Sequence, residues 1–433
     1  MASVNKFIGI RIDIIWIVAS QIVSLATSFM LLYMLTHTLS VNSYGLYTLW
    51  FGIAIFVRQV LYDPLSYVLV KECSALLGSQ TQLSKELSAI RATFQNLTVL
   101  LISIAVLLAV IFFVADALKD INVLIVSGVI FVALNATQGI FLALLNITSN
   151  RKAFGLFTMF DAFAKLALAT LVLLLFERTL FNYLFALCLA TLISCTAINV
   201  YLRKKSFTVN PEQFHLVSFL KRKLLTALPL FLPTTLVAFK GVLDKWMLAA
   251  YIGVADLAVY NVLLQIGYST MLISFGMIQT YVAPRIYQLC SSDSNNSFKE
   301  VRKFLIKLFL ILSSFSFIAI FLALIFGNYL FLHFMPPAYR EFAYLLPWFV
   351  AAGGLTAAAN ILYLVVIGTF DSTKAATITN ISVVFSVIVI FSAVSFMGFV
   401  GSIFGLILSS AITLITYVIF VGKDFAVKDR NSF

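Results

Sequence analysis

Three basic side chains, Arg58, Lys165 and Lys240, fall near the middle of segments that otherwise read as membrane-spanning helix. A charge at that depth costs roughly 2.5–3.5 kcal/mol on insertion scales, so it persists where a partner or a wet interior receives it. Acids accompany all three. Asp161 and Lys165 are four residues apart, as are Lys240 and Asp244, so each pair shares one helix face. Arg58 and Asp63 are five apart and point about 140° away from each other on an ideal helix, a geometry that Pro64 can distort. Arg58 is therefore expected to lack a local partner and to be the freest cation for a ligand. With Lys245 the intramembrane count is four cations against three acids. Guanidinium binds phosphate through two parallel hydrogen bonds and ammonium acts as a point charge, so this set suits an anionic headgroup. The competing reading is ion pairs that stitch helices together, and the Asp161–Lys165 pair satisfies itself.

The acids also permit ion coupling. Low dielectric favours a protonated carboxyl whereas nearby cations favour its charge, so the sequence leaves open whether Asp63, Asp161 or Asp244 cycles a proton or binds sodium. Pro229 and Pro233 each remove a backbone hydrogen bond from the same helix as Lys240, and with Gly241 they make it a candidate bending gate. No nucleophile–base pair, metal-ligand cluster or phosphate-cradling glycine loop is found, so neither a catalytic residue nor a cofactor is expected. Cys73, Cys188, Cys195 and Cys290 show no metal-like spacing with the histidines and read as inert thiols. His37, His215 and His333 read as surface residues.

The elements that position these residues are apolar throughout. The chain has 433 residues, 62% hydrophobic and 11% charged, with a mean hydropathy of +1.05. Soluble domains average about 25% charged residues. The apolar excess runs from end to end, so an all-α polytopic membrane protein is expected and no soluble domain is visible. Runs long enough to cross roughly 30 Å of hydrocarbon number twelve, at 12–37, 44–70, 92–115, 121–146, 153–176, 180–201, 225–250, 256–281, 304–327, 341–367, 374–397 and 399–421. At a rise of about 1.5 Å per residue, Arg58, Lys165 and Lys240 all fall within a few ångströms of mid-membrane. Gly401 and Gly405 in the last run have GxxxG spacing, which favours close packing inside the bundle.

Loop charge sets the expected orientation. Of 29 Lys and Arg, 22 fall on the side of the amino terminus, and only Lys119, Arg178 and Arg340 lie in loops on the other side. Both termini are therefore expected to be cytoplasmic. This asymmetry also accounts for the net charge of +12 without nucleic acid as a partner. A basic linker, 203–224, separates an N-terminal six-helix lobe, 1–202, from a C-terminal lobe, 225–433. Leu39-Ser-Val-Asn-Ser-Tyr-Gly-Leu-Tyr47 and Ile252-Gly-Val-Ala-Asp-Leu-Ala-Val-Tyr260 align at an offset of 213 residues, with Val and Tyr matching, and suggest a parallel repeat of the two lobes.

Ser43-Tyr-Gly-Leu-Tyr47, Asp244-Lys245 followed by Ala258-Val-Tyr260, Pro284-Arg285-Ile286, and Asn150-Arg151-Lys152 before Phe154-Gly155 also carry a family resemblance. In these residues and in topology the whole chain resembles polysaccharide exporters of the multidrug/oligosaccharidyl-lipid/polysaccharide (MOP) superfamily, and most of all the bacterial O-antigen flippases of the Wzx group. Lys245 stands where relatives often have Arg. The resemblance implies a MATE-like fold in the bacterial inner membrane and export of an undecaprenyl-pyrophosphate-linked oligosaccharide. Its partners would be that lipid-linked oligosaccharide, membrane lipids and other polysaccharide assembly proteins. On this reading the lobes enclose a cationic central cavity and alternate access, with Arg58, Lys165, Lys240 and Lys245 on the substrate. A multidrug cation antiporter of the same superfamily is the runner-up, which a net positive cavity disfavours. A polysaccharide polymerase or ligase would be expected to carry a large charged outer loop, and the outer loops here are short and nearly uncharged.

Overall fold

In hydrocarbon every backbone N–H and C=O must be satisfied within the chain, which leaves long apolar runs the helix as their local solution. The computed structural model describes residues 2–76, 79–114, 119–148, 150–204, 216–291, 295–370 and 372–430. All regular structure among them is helical. The elements are α1 (Ala2–Thr38), α2 (Val41–Ala75), α3 (Gln80–Val114), α4 (Lys119–Ile147), α5 (Arg151–Leu175), α6 (Leu180–Lys204) and α7 (Leu216–Tyr251). There follow α8 (Val254–Leu263), a π-helical turn (Leu264–Ser269), α9 (Thr270–Ser291), α10 (Asn295–Phe334), α11 (Pro337–Arg340), α12 (Leu346–Thr369) and α13 (Ser372–Arg430). Buried hydroxyls inside these helices bond back to the preceding turn, as Thr93 does to Ala89 and Thr191 to Leu187, each at 2.8 Å.

Eleven segments of the described residues are long and apolar enough to cross a membrane. The last of them, Thr373–Lys423, is 51 residues long, and Gly398 interrupts it with φ 59° and ψ −129°. That backbone region favours glycine, and it divides α13 into two spans at the joint between the last two apolar runs. The all-α membrane architecture expected from hydropathy is thus the one observed. Large apolar side chains on the outside accord with it: Phe317 on α10 is 73% exposed and Phe396 on α13 is 88% exposed.

The chain divides into two compact units. Unit 1 comprises Met1–Leu39 and Trp50–Ala238, and unit 2 comprises Ser40–Leu49 and Phe239–Phe433. Helix α2 begins in unit 2 and continues in unit 1, whereas α7 begins in unit 1 and continues in unit 2. In the 203–224 stretch, residues 205–215, including His215, lie outside the described residues. Arg203 and Lys204 close α6, and Leu216 opens α7. Asp371 also lies outside the described residues.

In unit 1, Leu65 and Val68 of α2 bury against Ala227, Leu230 and Phe231 of α7. The Trp50 indole N–H donates to the Leu124 carbonyl at 2.8 Å, and its ring lies 5.3 Å from that of Phe131. In unit 2, Leu243 and Met247 of α7 pack with Ile390 and Val394 of α13. A Cβ on Gly401 would collide with the Ala393 carbonyl, and one on Gly405 would lie 3.2 Å from the Ile390 Cα. The GxxxG pair therefore packs the two arms of α13 closely, as its spacing predicts.

Apart from Leu39, which belongs to unit 1, both aligned stretches are in unit 2. The joints themselves, Leu39–Ser40 and Ile252–Gly253, are two residues each and correspond at the same offset. Ser43–Tyr47 is thus helical, in the first turns of α2. The two stretches also touch: Asn261 donates to the Tyr44 hydroxyl at 2.9 Å, and Gly45 abuts the Val254 backbone so closely that any Cβ would collide with it.

Candidate functional site

Unit 1 presents its membrane-depth cations on α2 and α5. Arg58 Nη2 lies 3.7 Å from Asp63 Oδ2, and Nη1 donates to Asn135 Oδ1 of α4 at 3.3 Å. The expectation that Arg58 lacks a local partner is therefore corrected. Five residues span only about 7.5 Å of helix rise, and a guanidinium on a three-methylene stem reaches around the helix that far. Its Nε stays buried with no hydrogen-bond partner among the described residues. On α5 the same-face pair is present, with Lys165 Nζ 2.6 Å from Asp161 Oδ2. The other carboxylate oxygen, Asp161 Oδ1, is buried and accepts no hydrogen bond among the described residues.

Unit 2 treats its charges differently. Lys240 Nζ donates to the Thr413 hydroxyl at 2.7 Å, and Thr413 donates to the Ser409 carbonyl at 2.8 Å. Asp244, 4% exposed, accepts from the Tyr260 hydroxyl and from the backbone N–H of Lys245 at 2.8 Å. The Lys240–Asp244 pair expected from i,i+4 spacing does not form. Tyr260 and the Lys245 N–H occupy the carboxylate, while a hydroxyl from α13 is available to the lysine. Lys245, half-buried, makes no ion pair among the described residues. Nearby, Tyr268 in the π-helical turn donates to Thr356 at 3.3 Å, and Thr356 donates to Ser410 at 2.8 Å. Single π turns recur at functional sites, where they re-aim side chains.

Other candidates take simpler places. Pro229 and Pro233 lie inside α7, which continues through both. Gly241 is exposed and a Cβ there would meet no atom within 4 Å, so packing does not require glycine. His37 and His333 sit exposed near helix ends, bonded to the carbonyls of Tyr33 and Tyr329. Cys73, Cys188 and Cys195 are free thiols.

Sequence reasoning missed the roles of Tyr260 and Thr413 and a triad built around a buried lysine. Lys223, grouped with the loop charges, is 4% exposed on α7 and pairs with Glu72 and Glu86 of unit 1. Its signal was weak, since the two acids sit among the polar residues between the second and third apolar runs. The hydroxyls of Ser409 and Thr413, four apart in an apolar run, were the legible sign of a polar stripe.

No protein-family model matches the chain, and no curated protein is similar to it. Solved structures are similar in fold. One is the outward-facing conformation of a multidrug resistance MATE family transporter of the MOP superfamily, 12% identical, with a TM-score of 0.64 over 96% of each chain. Another is the Vibrio cholerae MATE transporter VcmN in its bent form, 13% identical, with a TM-score of 0.59 over 96% of this chain and 97% of that one. Over nearly its whole length, this chain has the fold of the MATE transporters.

Proposed function

We propose that the chain is a transporter that flips an undecaprenyl-pyrophosphate-linked oligosaccharide across the bacterial inner membrane by alternating access. The supporting observation is the state of Lys240. Its ammonium is held by a hydroxyl, and the carboxylate one turn away is engaged by Tyr260, so the positive charge is positioned without being cancelled. Together with Lys245, unit 2 offers two ammonium groups against one occupied carboxylate, which favours a phosphate ligand. Arg58 and Lys165 of unit 1 are proposed as further phosphate ligands. Asp63, Asp161 and Asp244 serve ion coupling or charge pairing. Both termini are cytoplasmic in this proposal.

The test is headgroup translocation in proteoliposomes carrying a pyrophosphate-linked oligosaccharide. Lys240→Ala removes a charge-assisted contact and is expected to slow translocation roughly tenfold or more. Unaltered transport by well-folded protein would reject phosphate recognition at Lys240. If a carboxylate couples an ion gradient, collapsing the proton and sodium gradients together abolishes net accumulation.

A multidrug cation antiporter is the second reading, favoured by the fold shared with a multidrug resistance transporter. Ethidium efflux by the wild-type chain, with no headgroup translocation, would establish it instead.

A further inference from the structure

We infer that unit 1 carries a separate phosphate site, built by Arg91 and Gln95 on α3 and Arg203 on α6, and that an anionic phospholipid headgroup fills it. The inference does not rest on the transport reading. Arg91 Nε and Nη1 are buried and have no hydrogen-bond partner among the described residues. A buried donor left unmet loses its water without return, so these two N–H groups favour any acceptor that can reach them. The described residues do not supply one. Neither Arg91 nor Arg203 forms an ion pair among the described residues, and the Arg203 charge acts on Arg91 as a repelling neighbour. Asn199, one turn before Arg203, has its own Oδ1 buried and unpartnered, so it does not serve Arg91 either.

The scaffold holds the like charges together. Arg203 Nη2 donates to Gln95 Oε1 at 3.1 Å, and Gln95 lies one turn from Arg91, so the amide draws Arg203 toward Arg91. An oxyanion between the guanidinium groups would accept from the free donors and relieve the repulsion. Location selects the source. The apolar part of α3 starts at residue 92 and that of α6 ends at 201, so the cluster lies at one membrane surface, where lipid phosphates are concentrated. Loop charge assigns that surface to the cytoplasm.

The test titrates the purified full-length chain with phosphatidylglycerol, phosphatidylcholine and inorganic phosphate, following its apparent Tm. Phosphatidylglycerol is expected to raise Tm in a saturable way and phosphatidylcholine is not. Arg91→Gln and Arg203→Gln should each weaken that response about tenfold, whereas Arg178→Gln, in a loop on the other side, should leave it unchanged. If Arg91→Gln fails to fold, Arg203→Gln carries the test from an exposed position. A response to inorganic phosphate alone, lost in the same variants, keeps the phosphate site and overturns the lipid as its source. Equal responses to both lipids, or a response that survives in the variants, overturns the site.

Discussion

The two units keep their membrane-depth charges in different chemical company. In unit 1, Arg58 and Lys165 each meet a carboxylate, at 3.7 and 2.6 Å, and Lys223, in the basic stretch before the apolar part of α7, meets two. In unit 2, Lys240 meets a hydroxyl and Asp244 meets a phenol. A charged partner cancels the field it holds, whereas a neutral partner fixes a charge and leaves its field outward. At these positions unit 1 pairs its cations with acids, and in the proposed reading unit 2 keeps the positive character that a ligand uses first.

The largest test of that contrast is Lys223→Ala. It leaves Glu72 and Glu86 facing each other without their cation, and breaking a buried pair costs about 3–5 kcal/mol. Glu72 is 37% exposed, so water offsets part of the loss and about 3 kcal/mol is expected. Thermal unfolding in detergent should show a large drop in Tm, while Lys240→Ala, which forfeits one hydrogen bond and relieves a buried charge, should shift it little. Equal drops would erase the distinction between the units.

A double-mutant cycle sharpens it. Asp161→Ala with Lys165→Ala should show a coupling of about 1 kcal/mol, because the side chains touch. Asp244→Ala with Lys240→Ala should be additive within about 0.5 kcal/mol, because they do not. Coupling in the second cycle would mean that the lysine is neutralised after all. Thr413→Val then asks whether the hydroxyl matters. Loss of this neutral acceptor should cost about 1 kcal/mol of stability and lower headgroup transport, without changing the chain's fold by circular dichroism.

How much of this was legible in the sequence depends on how far each interaction reaches. Helix number and the Gly398 joint came from local hydropathy, and the Asp161–Lys165 pair from spacing on a single helix. Contacts made between helices did not. Arg58 reaches Asn135, Lys240 reaches Thr413, and Asp244 reaches Tyr260, partners 77, 173 and 16 residues away. An i,i+4 rule ranks the neighbour on the same helix first, yet it says nothing of a better-placed oxygen on another. Tyr260 was visible as a repeat match with Tyr47 and beside Asp244 in the family resemblance, but neither pattern says that its hydroxyl bonds that acid. Lys223 looked like one of many loop lysines because burial at the start of α7 depends on acids more than a hundred residues earlier.

The smallest effect is expected at Gly241, and its sign is informative. Glycine inside a helix is less stable than alanine by about 0.5–1 kcal/mol, and here a Cβ meets no neighbour. Gly241→Ala should therefore raise Tm slightly. The residue follows Lys240 just past the point where α7 passes from unit 1 to unit 2. If α7 bends there during the transport cycle, a stiffer backbone should slow headgroup translocation even as stability rises, a split that packing damage cannot produce. Raised stability with unchanged transport would move the bend to the Pro229–Pro233 turn, where each proline has already removed a helix hydrogen bond. Pro233→Ala would then be the variant that slows transport, leaving the charges of unit 2 in place.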